Sequence, residues 1–248
     1  MSENPKLKDS LMIECIPQVG DCPMRCAECY YNLNFYRSKD TPLLPTLEES
    51  EGKIVRVNSG HDSNLQRELV LEKTKDYKDK FYNTSIPIPL GAPTILTLNG
   101  RDTDKTFLLE HEFGTEEDTI QLMAVRFRVN TWNLGLCWKA ISHWALSDGT
   151  PLILTPMRYA SLESIPESER KFYSQSKHII NTWWCLNEDG VGIIRHKLAH
   201  SNVFWCGNPF NNSSYCSECR ICEHLYVSAK ERMKLHTSSE EERIRCTP

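Results

Sequence analysis

Cys22-Pro-Met-Arg-Cys26-Ala-Glu-Cys29 decides how the rest of this 248-residue chain is read. Three cysteines spaced x3 and then x2 wrap a short loop around one metal centre. Iron–sulfur clusters are normally held by four cysteines, so a compact triad supplies three thiolates and leaves one iron open to a ligand that is not protein. Zinc also favours close-set cysteines, and a zinc loop that borrows a fourth ligand such as Cys15 stays open as an alternative.

Working outward, Leu11-Met-Ile-Glu-Cys-Ile16 reads as a short buried strand that Pro17 and Gly20 break, releasing the chain into the cysteine loop. Strand character returns at 53–58, 94–99, 125–130 and 151–156, with a weaker run at 81–86. Helices are expected at about 63–79, 104–113 and 133–147, the last because Leu134, Cys137, Trp138, Ile141, Trp144 and Ala145 recur at helical spacing. Strands alternating with helices imply parallel βαβ units. Six of them make a partial (βα)6 barrel over 11–204, followed by a cysteine-rich metal-binding extension at 205–230 and a flexible tail at 231–248.

The bulk numbers fit a soluble globular protein. Hydrophobic residues make up 40%, charged residues 25%, and the formal net charge is −4, which gives no general basic footprint for nucleic acid. No apolar run suggests a membrane span, and the first ten residues lack the apolar core of a secretory signal. Eleven cysteines without such a signal argue for metal and a reducing, cytoplasmic setting rather than a disulfide framework. Seven of them fall into two tight groups, Cys22/Cys26/Cys29 and Cys206/Cys216/Cys219/Cys222. The second group, a Cys-x2-Cys-x2-Cys run with Cys206 as a fourth ligand, suits an additional iron–sulfur cluster, with four-cysteine structural zinc as its competitor.

The triad placed after a first strand resembles the signature of the radical S-adenosylmethionine enzymes. With its terminal cysteine group the whole arrangement is also similar to phage and prokaryotic members of that superfamily. The resemblance implies that Cys22, Cys26 and Cys29 each hold one iron of a [4Fe–4S] cluster whose open iron binds S-adenosylmethionine. Reductive cleavage of that cofactor would give a 5′-deoxyadenosyl radical, which abstracts hydrogen from a substrate that no further motif specifies. A one-electron reductase or a ferredoxin- or flavodoxin-type donor is the implied partner. In this family the second strand ends in a glycine-rich turn that meets the cofactor's amino group. Gly60, His61, Asp62 and Ser63 occupy that place, while Asn99, Arg126 and Asn130 are candidates for its ribose and carboxylate. The adenine-side aromatic expected before the third cysteine is replaced by Glu28, with Tyr30 and Tyr31 following instead.

Asp62 or Ser63 has a second reading, as a cap on the following helix. His196 and His200 are four apart, but Gly190 to Arg195 before them reads as turn and strand, against a shared metal. A different class of function, a non-catalytic zinc-binding structural or interaction protein stapled by both cysteine groups, is the alternative to the enzyme.

Overall fold

The computed structural model describes residues 4–24, 26, 29, 40–98, 113–115, 117–147, 149–177, 182–207 and 215–245. Its centre is a seven-stranded sheet in which every neighbouring pair is parallel. The strands are β1 (Met12–Cys15), β2 (Ile54–Val57), β3 (Lys80–Thr84), β4 (Thr94–Leu98), β5 (Leu122–Val129), β6 (Leu152–Pro156) and β9 (Val203–Trp205). They lie side by side in chain order. Between β6 and β9 the chain inserts an antiparallel hairpin of β7 (Tyr173–Lys177) and β8 (Thr182–Leu186). The molecule is therefore α/β with a mostly parallel sheet.

Side chains alternate across a strand, so the register sorts the sheet into two faces. On the first face Val55, Val57 and Tyr82 pack with Val70 of helix α1 (Arg67–Thr74). Leu96, Leu98, Val125, Phe127, Leu152 and Leu154 continue that face beneath α2 (Leu134–Ala140) and α3 (Glu188–Leu198). The opposite face is layered. Its apolar layer, Phe81, Ile95, Ala124 and Ile153, packs against Leu225, Tyr226 and Ala229 of the long helix α4 (Ile221–Arg245). Toward the C-terminal strand ends the same face carries polar groups, among them Glu14, Arg56, Asn83 and Arg126, by the pairings Glu14↔Arg56 and Asn83↔Ile95. We call this second surface the inner face.

All six strand runs named from the sequence are strands, and β9 adds a seventh to the sheet. The helix expected at 133–147 begins as α2 and continues through a π-helical segment, Ile141–Ser147. The helix expected at 104–113 lies outside the described residues except for Phe113, which is buried. Two expectations need correcting. Residues 190–195 are helical, because Asn187 caps α3 by accepting from the Gly190 N–H at 3.0 Å. The stretch from 231, read as a tail, continues α4 to Arg245, and Arg232 docks it by donating to the Leu122 carbonyl at 3.2 Å.

Gly190 explains why glycine survives in a helix. A Cβ there would meet the Phe172 carbonyl oxygen at 2.7 Å and Leu186 Cδ2 at 2.9 Å, whereas one at Gly192 would meet nothing within 4 Å. Gly192→Ala should stabilise the fold by up to about 1 kcal/mol through helix propensity. Gly190→Ala should destabilise it by about 1–3 kcal/mol through overpacking. Urea unfolding of the two variants reads these opposite signs, and equal shifts would refute the packing account.

Candidate metal and cofactor site

The loop that bears the first triad leaves the C-terminal end of β1. Its two ends are tied together where Ile16 and Leu43 exchange backbone hydrogen bonds of 2.7 and 2.9 Å. Within it, the Cys29 N–H donates to the Cys26 carbonyl at 3.2 Å. Cys22 is buried against Ile16, with Cys29, Leu43 and Leu65 packed on the pair. The triad loop is also tied to the turn after β2. Gln18, fully buried, donates through Nε2 to the carbonyls of Asp62 and Leu65, both at 2.9 Å. Gln18 thus fastens the loop that carries Cys22, Cys26 and Cys29 to the Asp62 turn.

Burial pushes the Cys22 thiol up to about 11, against a hydrogen bond from the Met24 backbone; the charges of Asp62, Cys26 and Cys29 push it further the same way. Burial likewise raises Cys15 to about 12 and Cys222 to about 11. These shifts have a consequence for the metal-free chain. Unfolding releases each proton near the ordinary value of 9.0, while the folded state holds it to higher pH. The unfolded chain then binds fewer protons, so stability falls as pH climbs from about 9 toward 11–12. The urea midpoint of the metal-free chain should be lower at pH 9.5 than at pH 7.5; equal midpoints would contradict this origin.

The turn itself departs from expectation. The Asp62 carboxylate is buried and accepts from the Asn64 N–H at 2.9 Å, Thr84 Oγ1 at 2.7 Å, and both the N–H and Oγ of Ser85 at 2.6 Å. Four donors fill what a carboxylate offers. Asp62 is thus a brace between the turn and β3 rather than an open acceptor for an ammonium. Ser63 is equally internal: its Oγ accepts from Asn58 Nδ2 at 3.1 Å. Neither caps α1, whose N-cap position is Gln66 without a side-chain cap. Gly60 is buried in the same turn, and His61 Nδ1 accepts from the Asp62 N–H at 3.1 Å.

The remaining candidates separate. Asn99 lies outside the described residues, as do Glu28, Tyr30 and Tyr31. Asn130 accepts through Oδ1 from the N–H groups of Trp132 at 3.1 Å and Asn133 at 2.8 Å, and its amide donates to Tyr159 at 3.3 Å. It holds its own turn and is not a free donor for a ribose. Arg126 donates to Asn83 Oδ1 at 3.0 Å and points a second nitrogen at Cys222 Sγ, 3.9 Å away. It therefore belongs with the second cysteine group. His196 is in α3, but His200 lies beyond its end, where Nδ1 accepts from the Asn202 N–H at 3.2 Å.

Cys216 and Cys219 share one helical turn, Arg220 breaks it with φ 51°, and Cys222 opens α4. Cys206 follows β9. Its charge raises Cys216, Cys219 and Cys222 alike, and burial is the larger cause in each. The four thiols are therefore neighbours on the inner face. All ten described cysteines are free thiols.

In donor type and grouping both sets suit a thiolate-bound metal, since repulsion between buried thiolates is relieved by a cation among them. Among the described residues, no three His, Cys, Asp or Glu side chains stand in a metal-holding arrangement as they are. Nor is any described helix long and apolar enough to cross a membrane.

Gln18, Thr84 and Ser85 escaped sequence reading, because nothing in their local pattern distinguishes them from ordinary strand-end polar residues. No family model matches the chain, and neither a curated protein nor a solved structure is significantly similar to it.

Proposed function

We propose that this chain is a radical S-adenosylmethionine enzyme on an open, partly closed α/β barrel. The observation that carries the reading is the position of the cysteine triad. It leaves the C-terminal end of the first strand of a parallel sheet ordered as the chain runs, and Gln18 fastens it to the turn after the second strand. In barrel-like α/β folds the chemistry collects at those strand ends. A single winding direction also favours curling of the sheet, since right-handed crossovers then fall on one side.

Cys22, Cys26 and Cys29 would hold a [4Fe–4S] cluster. A cluster held by these residues would supply, once reduced by a one-electron donor, the electron for reductive cleavage of S-adenosylmethionine. The chain's own part is to hold and shield. Buried Cys22 and Ile16 pack under the loop, and Asp62 with its four donors fixes the adjoining turn, so that its backbone rather than its carboxylate would be left to meet a cofactor. The finer contacts proposed for Gly60 and His61 belong to that turn.

The test is anaerobic reconstitution with iron and sulfide, followed by dithionite and S-adenosylmethionine. Cluster absorption and 5′-deoxyadenosine are the expected results. Reconstituted protein that takes up zinc but neither iron nor sulfide would instead make it a zinc-stapled structural or interaction protein.

A further inference from the structure

We infer that Cys206, Cys216, Cys219 and Cys222 form a four-thiolate metal centre set into the inner face of the sheet, with Arg56 and Arg126 balancing its negative charge. This inference does not depend on the first triad or on the proposed reaction.

The strand register places the group. Phe204 pairs with Ile153 and packs in the inner-face core, so Cys206, two residues on, extends along the same face. Cys219 brackets it from both sides. Its Sγ accepts from the Gly207 N–H at 3.3 Å and lies 4.0 Å from the Trp205 carbonyl. Cys216 is one helical turn before Cys219, hence on the same side. The left-handed residue Arg220 then redirects the chain so that Cys222 enters on α4. The second group thus lies partly buried where the sheet meets α4.

The guanidinium groups point to what it holds. Arg56 Nη1 lies 3.8 Å from Cys216 Sγ, and Arg126 Nη2 lies 3.9 Å from Cys222 Sγ. Arg126's other partner is the neutral amide oxygen of Asn83, and its Nε is buried without a hydrogen-bond partner. Lys6 and Arg158 lie close by. Glu14, opposite Arg56 in the strand register, accepts from Asn4 and Ser59. A guanidinium that is partly withdrawn from water, as that of Arg126 is, is matched by thiolates and not by neutral thiols. Four thiolates around zinc, or around a doubly charged iron–sulfur core, carry two net negative charges, which two arginines match.

The test uses the full chain with Cys22, Cys26 and Cys29 all replaced by alanine. Purified anaerobically, it should retain one centre per chain, read as iron with sulfide or as zinc, and either composition supports the inference. Adding Cys216→Ala and Cys219→Ala should remove it. Arg126→Met should weaken metal retention against a chelator by about tenfold or more, as loss of an outer-shell partner does. Arg126→Lys should restore part of that. In the unmutated chain, iodoacetamide should spare Cys206, Cys216, Cys219 and Cys222 until the metal is stripped. A triple variant without stoichiometric metal, or equal labelling before and after stripping, would overturn the site. Unchanged retention in Arg126→Met would overturn the balancing role. Loss of S-adenosylmethionine cleavage with this metal retained touches only the proposed reaction.

Discussion

Cys26→Ala should reduce 5′-deoxyadenosine formation to the level of a protein-free control. The triad offers three thiolates to one cluster, and with two left the cluster has no secure hold. The second cysteine group, on the inner face, is unaffected by the change. Iron and sulfide should accordingly fall by one cluster while the metal of the second group stays, and the urea midpoint of the metal-free protein should move little because Cys26 is only half-buried. Cys137→Ala is the matching control: that thiol is on the buried side of α2, over the opposite face of the sheet, 3.5 Å from Asn133 Oδ1. It should retain the cluster and the product. Wild-type product formation by Cys26→Ala would end the radical reading.

Asp62→Ala should be the most destabilising single substitution in the turn after β2. It strips the acceptor from Thr84, from both donors of Ser85 and from the Asn64 N–H in a buried setting. Leaving buried donors unsatisfied costs about 1–3 kcal/mol for a single group, so a loss of about 3–5 kcal/mol is expected for the set. That is a large share of a typical stability of about 5–15 kcal/mol. Because Gln18 holds the triad loop through the carbonyls of Asp62 and Leu65, cluster retention should fall with stability. Chemical unfolding of the metal-free chain measures the first effect, and iron content measures the second. A loss below about 1 kcal/mol would show that the carboxylate is dispensable to the fold.

Much of this arrangement is legible in the amino acids, and for physical reasons. Runs such as Ile54-Val-Arg-Val57 announce strands because β-branched residues suit a pleated surface. The triad's place after the first strand follows from Pro17 and Gly20. Three things are not legible. Tyr173-Ser-Gln-Ser-Lys177 is too polar to signal a strand, yet it pairs with Thr182–Leu186 because the Trp-rich partner supplies the apolar side. Gly190 and Gly192 suggest a turn, although one of them is required by a close carbonyl and the other is merely tolerated. Arg56 and Arg126 look like solvated strand residues, and only the register of seven strands reveals that both face inward toward thiols. The same register separates Arg126 from the cofactor contacts expected of it, while Asp62 and Asn130 spend their polarity on their own turns.

The chain-ordered sheet also implies a schedule of assembly. A polypeptide emerging from its N-terminus can add each strand to the one already in place, because every sheet neighbour up to β6 is also the next strand made. Residues 221–245 emerge after all seven strands, and they are the helix that covers the apolar inner layer. Until that helix docks, Arg56, Arg126 and Cys206 line an uncovered trough. A metal bound there would have a window of entry, which opens with the sheet and narrows as that helix docks.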